Sequence, residues 1–315
     1  MLPGPAIEVV AGALFDTSGR VLIAQRPAGK ALAGRWEFPG GKLHAGEDPY
    51  AGLVRELREE LGISVTACSP WLTRVFTYPH ATVRLNFWRV TAWDGEIGIT
   101  APLEHSAVDW QKCGKSASVA PILPANDPIL KALALPTTMA ITMGEIEGVE
   151  RQLERLEEAL DKGLRLIQVR DKGWPVAQRL WFAEAVTRIA RQRGALVLIN
   201  DDEEIARQIG ADGVNLTATR LKACGRRPDF KWVGASCHSA GELARAAELG
   251  LDYALLSPVL PTPTHPDAAY LGWDEFSKLI GGCPLPVFAL GGMKKDLLAT
   301  AQGHGAHGIA LMRGW

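Results

Sequence analysis

From about residue 136 onward, short runs of Val, Ile, Leu and Ala alternate with longer stretches in which apolar residues recur at helical spacing. Short apolar runs of this kind predict buried parallel strands, and the amphipathic stretches supply the crossover helices that parallel strands need. The predicted strands are 138–142, 164–169, 196–200, 213–216, 232–236, 253–257, 286–290 and 307–311. This order favours a compact (β/α)8 barrel, with an open doubly wound sheet as the alternative. Because the chain stops at Trp315, we expect the barrel to lack its last helix.

The earlier part of the chain follows a mixed pattern, which predicts a separate α/β domain with a mixed sheet between helices. A Pro-rich stretch and a short helical run precede residues 135–137, which we expect to form a linker. The predicted domains are therefore 1–134 and 138–315. Hydrophobic residues make up 47% of the chain and charged residues 22%, which is typical of a folded protein and argues against a disordered or fibrous one.

The charge balance bears on partners. Lys and Arg number 34 against 35 Asp and Glu, so a polymeric nucleic acid is not expected as a partner. The sequence has neither a signal-peptide pattern nor an apolar run of membrane-spanning length, which predicts a cytoplasmic protein without membrane contact. Its five cysteines are scattered and form no Cys-x-x-Cys pair, so we expect reduced thiols.

One helix, within residues 41–63, carries an unusual concentration of acid. Asp48 can cap this helix, Pro49 suits its first turn and Gly62 is placed to end it. At 100° per residue, three carboxylates fall within a single arc of about 100°. These residues are Glu56, Glu59 and Glu60. Like charges in one arc repel, and a hard divalent cation such as Mg²⁺ would relieve the repulsion; a solvated charge run is the alternative interpretation.

The same segment matches the Nudix box at each of its defining positions. The matching residues are Gly41, Glu47, Arg55, Glu56, Leu57, Glu59, Glu60, Gly62 and Ile63. The segment therefore resembles the Nudix hydrolases. This resemblance implies that the three carboxylates bind Mg²⁺, for which Mn²⁺ can substitute, and that the Gly40-Gly41 backbone lies near the metal. It also implies that Arg55 pairs with Glu47 to brace the loop against the helix, with Gly41 and Gly62 in structural roles.

Motifs outside the box resemble one branch of that family. The run from Trp36 to Lys42, the pair Gln25-Arg26 and the segment 124–128 are similar to MutT, over about residues 7–131. The resemblance implies Mg²⁺-dependent hydrolysis of 8-oxo-dGTP to 8-oxo-dGMP and pyrophosphate, which cleanses the nucleotide pool and avoids mutation.

The MutT resemblance also implies a set of substrate-binding residues. Asn126 would hydrogen-bond the purine edge, Phe38 and Tyr78 would pack against the base, and Arg26 would contact the substrate. An amide suits this task because it offers donors and an acceptor together. The alternative is that Asn126 is an ordinary turn residue.

A loop carboxylate, Glu104, matches one that joins the metal site in relatives, which makes it a further metal ligand and catalytic candidate beside Glu56 and Glu59. His105-Ser106 follow it where the family commonly has Gly-Gln. The base that activates water is either Glu56 or Glu104, and the sequence does not decide between them.

Polar motifs follow successive strands of the predicted barrel, at the end where barrel active sites form. They include Gln168-Val-Arg-Asp-Lys172, Asn200-Asp201 and Gly291-Gly292. Residues 138–315 therefore resemble the thiamine-phosphate synthase and TenI family, and the resemblance implies a phosphate-bearing ligand in the barrel. The candidate pocket residues are Arg170, Lys172, Asn200, Asp201, His238, Thr262, Thr264, His265, Gly291 and Gly292.

Three departures argue against a working synthase. Asp202 stands where the family has a basic residue, Arg220 where it has a second acidic Mg²⁺ ligand, and His265 where it has a lysine. We therefore rank a ligand-binding or scaffolding domain first, an altered phosphate-ligand enzyme second and a working synthase third. The alternative for the whole chain is a bifunctional thiamine-pathway enzyme whose Nudix domain acts on a pathway pyrophosphate. Oligomerisation through the barrel also stays open.

Overall fold

In a computed structural model of the protein, residues 6–79, 81–115, 117–262 and 269–315 are described. The chain divides into two compact units, Met1–Leu135 and Pro136–Trp315. The linker predicted at 135–137 stays a prediction.

Within its described residues, the first unit has two three-stranded sheets. The strands are β1 (Ile7–Leu14), β2 (Arg20–Gln25), β3 (Trp36–Glu37), β4 (Ser64–Tyr78), β5 (Ala81–Asp94) and β6 (Ala107–Lys112), and the helices are α1 (Pro49–Leu61) and α2 (Asp127–Leu133). One sheet has the order β1-β5-β4, with β1 parallel and β4 antiparallel to β5. The other has the order β3-β2-β6 and is antiparallel. The prediction of an α/β domain with a mixed sheet is confirmed.

Helix α1 begins and ends where its local chemistry dictates. The Asp48 carboxylate accepts the N–H groups of Tyr50 at 3.0 Å and Ala51 at 3.2 Å, which satisfies donors that have no partner inside the helix. Gly62 ends the helix in the left-handed conformation, at φ 71°. Its apolar face packs into a core with β1, β2 and β5, through Leu53, Leu57 and Leu61. The acidic positions are thereby held in a fixed orientation at the edge of that core.

The second unit is a closed barrel of parallel strands in which β14 pairs with β7. Its strands are β7 (Thr138–Ile141), β8 (Leu166–Val169), β9 (Leu196–Asn200), β10 (Gly213–Leu216), β11 (Trp232–Cys237), β12 (Tyr253–Leu256), β13 (Val287–Leu290) and β14 (Gly308–Leu311). The barrel prediction is confirmed, and the open sheet is not the arrangement observed.

Helices connect the strands and cover the outside of the barrel. They are α3 (Gly144–Glu147), α4 (Val149–Asp161), α5 (Val176–Gln192), α6 (Glu203–Gln208), α7 (Ala218–Ala223), α8 (Ala240–Glu248), α9 (Gly272–Ile280), a 3₁₀ turn at Lys295–Leu297 and α10 (Leu298–Gly303). In the described part of the chain, no helix combines the length and the apolar character needed to cross a membrane.

Alternate residues of each barrel strand face the helices and the barrel interior. In β8, Ile167 and Val169 join the core that contains Phe182 of α5, so Gln168 between them faces inward. The fully buried Tyr253 ring fills the interior, and its hydroxyl donates to Asn215 Oδ1 at 3.2 Å. The interior is therefore a packed layer of side chains.

A glycine on β11 makes room for this ring. A Cβ added to Gly234 would lie 2.0 Å from Cζ of Tyr253. We expect Gly234→Ala to destabilise the barrel by about 1–3 kcal/mol, because the methyl group would have to displace a buried aromatic ring. Urea unfolding of the intact chain measures the effect.

Gly241→Ala is the matched control for this substitution. Gly241 lies in α8, where an added Cβ would meet none of the described atoms within 4 Å. Alanine there should leave the free energy of unfolding unchanged or raise it by at most about 1 kcal/mol. Equal urea-unfolding midpoints for Gly234→Ala and Gly241→Ala would contradict the packing assigned to Tyr253.

Candidate functional site

The Arg55 guanidinium joins helix α1 to the loop before it. Its Nε and Nη2 atoms donate to the two carboxylate oxygens of Glu47, each at 2.8 Å, and Nη2 also donates to the Lys42 carbonyl at 3.2 Å. A bidentate pair of this kind fixes both partners in one plane. The hydrogen bonds from Arg55 lower the pKa of Glu47 to about 2. The loop is thus bound to the helix through an ionised carboxylate.

The same guanidinium gathers two acids of the helix. Arg55 Nη1 lies 2.9 Å from Glu56 Oε1 and 3.5 Å from Glu59 Oε2. Burial raises the pKa of Glu56, against the opposing effect of Arg55. A Cβ added to Gly41 would lie 2.4 Å from the Glu56 carboxylate, so only glycine lets the loop backbone approach this group. The structure therefore brings Glu56 and Glu59 to one guanidinium and places Glu56 against the Gly41 backbone.

Glu60 faces the protein interior. Its side chain is only 3% exposed, and Oε2 accepts the Gly40 N–H at 2.9 Å. The same oxygen lies 3.0 Å from Nε2 of His105, which is 1% exposed. Oε2 of this carboxylate thus accepts one backbone hydrogen bond and lies next to a buried imidazole.

Glu104 is the fourth predicted carboxylate, and it forms an ion pair with Lys30. Within the described ranges, no three His, Cys, Asp or Glu side chains lie close enough together to hold a metal ion. Glu56 and Glu59 therefore share one partner, whereas Glu60 and Glu104 each have another.

Sequence reasoning did not identify His105 or Lys30 as functional residues. Both lie in loops, and each contacts an acid far away along the chain. A single His or Lys in a polar loop has no periodicity or spacing that could have revealed these contacts.

The residues predicted to bind the base lie around Asn126. The Phe38 N–H donates to Asn126 Oδ1 at 3.1 Å, and both residues are buried. The Phe38 ring packs edge-to-face on Phe87, with centroids 5.6 Å apart. Tyr78 packs against the same apolar cluster, which also contains Ala125, the residue before Asn126. The structure therefore places Phe38, Tyr78 and Asn126 in one region.

Arg26, the fourth of these residues, is bound to an acid. Its Nη1 atom donates to both carboxylate oxygens of Glu37, at 2.7 and 2.9 Å. Burial raises the pKa of Glu37, and the Arg26 charge partly offsets the rise. Arg26 thus balances a partly buried carboxylate, Glu37, which precedes Phe38 in the chain.

In the barrel, Asp201 follows β9 with φ 62°, a left-handed conformation that Asp tolerates better than most residues. Its carboxylate accepts the backbone N–H of Thr217 at 3.2 Å and the hydroxyl of the same residue at 3.0 Å. Arg220 Nε lies 3.8 Å from Asp201 Oδ1, and its Nη2 donates to Glu203 at 3.0 Å. The adjacent Asp202 caps α6 and pairs with Arg179 at 3.2 Å.

Arg170 and Lys172 follow β8 at the same end of the barrel. Neither side chain has an ion pair or hydrogen bond within the described ranges. Burial lowers the pKa of Lys172, and the Arg170 charge contributes to this. Asn200, at the end of the neighbouring strand, is buried.

His238 and the two glycines complete the described candidates. His238 is exposed, and its Nδ1 lies 2.7 Å from the Ser257 carbonyl. Gly291 and Gly292 have φ values of 93° and 69°, which favour glycine. Thr262 is partly buried, whereas Thr264 and His265 lie outside the described residues.

Fold and site together define a protein with an α/β domain, whose helix α1 carries a cluster of carboxylates, and a parallel barrel. The family model described as NUDIX domain matches residues 6–133, and the one described as thiamine monophosphate synthase matches residues 138–315. The chain belongs to the Nudix family through its first domain and to the thiamine monophosphate synthase family through its second. The first domain is thus of the Nudix hydrolase type, and both domains imply small phosphate-bearing substrates.

Individual relatives match one domain each. The chain is 41% identical over 97 residues to an 8-oxo-dGTP diphosphatase of Proteus vulgaris, covering 31% of this chain and 87% of the relative. It is 38% identical over 163 residues to a putative thiamine-phosphate synthase of Geobacter sulfurreducens, covering 50% and 76%. The solved thiamine phosphate pyrophosphorylase from Pyrococcus furiosus is 27% identical with a TM-score of 0.48, over 56% of this chain and 85% of that one.

The Glu47–Arg55 pair predicts a defined pH dependence of stability. The pKa of Glu47 falls from an ordinary 4.5 to about 2 on folding, so its ionised form stabilises the folded state above pH 4.5. This contribution should disappear progressively as the pH falls from 4.5 to about 2. We therefore expect Glu47→Gln to be less stable than the wild type at pH 7 and to approach it at low pH. Urea unfolding across this range measures the difference.

The control is Glu96→Gln, which changes an exposed glutamate of the same domain. The difference in unfolding free energy between Glu96→Gln and the wild type should not change as the pH falls. A stability difference for Glu47→Gln that stayed constant down to the lowest pH would contradict the assignment.

Proposed function

We propose that the first domain is an Mg²⁺-dependent pyrophosphohydrolase that converts 8-oxo-dGTP to 8-oxo-dGMP and pyrophosphate, and that it thereby limits mutation. The observation that carries this proposal is the position of Glu56, a partly buried carboxylate held by Arg55 against the Gly41 backbone. The similarity to an 8-oxo-dGTP diphosphatase supports the choice of substrate.

Nudix hydrolases generally use a divalent metal ion, and the donors present in this domain fit one. Glu56 and Glu59 offer carboxylate oxygens, the ligands that Mg²⁺ prefers, and the Glu59 side chain is 59% exposed. A cation here would also favour the ionised form of Glu56, whose pKa burial raises. Glu56 and Glu59 would hold the metal, with Mn²⁺ as a substitute for Mg²⁺. Glu60 would join them through Oε1, because Oε2 accepts the Gly40 N–H.

The chain's own groups also indicate a base. Glu56 Oε1 is hydrogen-bonded to Arg55, so Oε2 is the oxygen that would accept a proton from water. Glu104 is bound to Lys30 and would first have to leave it. We therefore favour Glu56, which would orient a water for attack at phosphorus with pyrophosphate as the leaving group. When bound, Mg²⁺ supplies neutralisation of the triphosphate charge.

Removal of the Glu56 carboxylate is the first test. We expect Glu56→Gln to lower kcat for 8-oxo-dGTP by at least about 100-fold, because the amide cannot accept the proton. Release of pyrophosphate measures the rate, and an unchanged unfolding midpoint shows that the fold is intact. Glu96→Gln, on the exposed surface of the same domain, should keep wild-type activity. Turnover by Glu56→Gln at the wild-type rate would refute the assignment.

The second test concerns recognition of the purine base of the substrate by Asn126. Asn126→Asp keeps the oxygen that accepts the Phe38 N–H but removes the amide donor. The preference for 8-oxo-dGTP over dGTP is the ratio of the two kcat/KM values. We expect this ratio to fall roughly 5- to 150-fold, which corresponds to a loss of about 1–3 kcal/mol of discrimination. Activity on dGTP is the internal control for folding. An unchanged ratio would leave Asn126 as an ordinary turn residue.

Membership of the barrel in the thiamine monophosphate synthase family favours a second candidate function. In this alternative, the barrel makes thiamine phosphate and the Nudix domain acts on a pathway pyrophosphate. Thiamine pyrophosphate would then be hydrolysed with a higher kcat/KM than 8-oxo-dGTP in a side-by-side assay of the intact protein. We rank this alternative second because the ion pair between Arg220 and Asp201 disfavours a metal site in the barrel.

A further inference from the structure

The barrel's family implies a divalent cation at the carboxyl ends of its strands, and the acids found there do not fit one. Both oxygens of Asp201 accept hydrogen bonds from Thr217, and Arg220 lies beside Oδ1 at 3.8 Å. Of the other acids near this end, Asp202 and Glu203 pair with Arg179 and with Arg220. Asp171 accepts hydrogen bonds from the Thr142 hydroxyl and the Glu145 N–H. A guanidinium therefore stands where a second carboxylate would be needed, and its charge would repel a metal ion.

Two further cations, Arg170 and Lys172, lie at this end of the barrel. The Arg170 and Lys172 side chains form no ion pair within the described ranges. The carboxylates of Asp201 and Glu145 attract the Lys172 ammonium group electrostatically. Asp201 is already bound by Thr217 and lies beside Arg220, and Glu145 accepts the Gly173 N–H. Two cations with free donors remain at this end of the barrel, and they would attract an anion.

Buried donors without acceptors provide an independent observation. Gln168 Nε2 and Asn200 Nδ2 are buried and have no hydrogen-bond partner in the described structure. Gln168 is 1% exposed and Asn200 8%, and both lie near the carboxyl ends of adjacent strands. An unsatisfied buried donor costs free energy, so these groups suit a ligand that offers acceptor oxygens.

We propose that this end of the barrel binds a small phosphate-bearing anion without a divalent cation, with Arg220 supplying positive charge in place of the metal. Arg170 and Lys172 would add charge, and Gln168 and Asn200 would donate to ligand oxygens. The proposal concerns the second domain alone and does not depend on the function proposed for the first.

The test uses the intact chain carrying Glu56→Gln and Glu59→Gln, which remove the proposed metal ligands of the first domain. Inorganic phosphate is the probe, and titration in EDTA followed by ³¹P NMR measures binding. We expect binding in EDTA, with less than about a twofold change in Kd on adding Mg²⁺. Arg220→Asp in this background should weaken phosphate binding in EDTA at least about tenfold, because charge-assisted hydrogen bonds are lost.

A second readout separates loss of charge from misfolding. Arg220→Asp places an acid opposite Asp201, so it should gain one Mn²⁺ site detectable by electron paramagnetic resonance, which its Arg220-containing parent lacks. Arg188→Asp, an exposed change on α5, is the charge-matched control and should alter neither measurement. Phosphate binding that required Mg²⁺, absence of binding in EDTA, or an unchanged affinity in Arg220→Asp would each overturn the proposal.

Discussion

The contact of one guanidinium with three carboxylates organises the Nudix domain. Arg55 binds Glu47 in the preceding loop and reaches Glu56 and Glu59 on its own helix. Like charges would otherwise push these groups apart. Because the bidentate pair draws the loop onto the helix, the Gly41 backbone is brought against Glu56, where a side chain would collide. The position of the acid that carries the proposed chemistry thus follows from an ion pair one residue away.

The barrel also places an arginine beside acids, with the opposite consequence. Arg55 contacts one oxygen of Glu56 and leaves the exposed Glu59 largely open to a cation. Arg220 instead lies next to an Asp201 whose two oxygens are already bound by Thr217. What distinguishes the two sites is the number of carboxylate oxygens left free, and this decides whether a site suits a cation or an anion.

Most of the architecture could be predicted from the sequence because its signals are local. The apolar runs predicted β9 and β10 with their observed bounds, and Asp48 and Gly62 marked the ends of α1. The acidic arc followed from helical geometry alone. The orientation of Glu60 toward His105 could not be predicted in this way, because His105 belongs to a loop that is distant in the sequence. Periodicity identifies which residues share a face, but not which distant side chain meets them.

The barrel also shows why membership of a fold family does not settle its chemistry. Its stability comes from buried layers such as Tyr253 packed edge-to-face on Phe288, with centroids 5.9 Å apart. Asp201 and Arg220 lie beyond the strands, on the segments that follow them, where substitutions leave those layers untouched. An acid-to-arginine difference there can replace a metal's charge by a fixed cation at little cost to the fold. Selection for folding alone would then retain the barrel while its ligand chemistry changed.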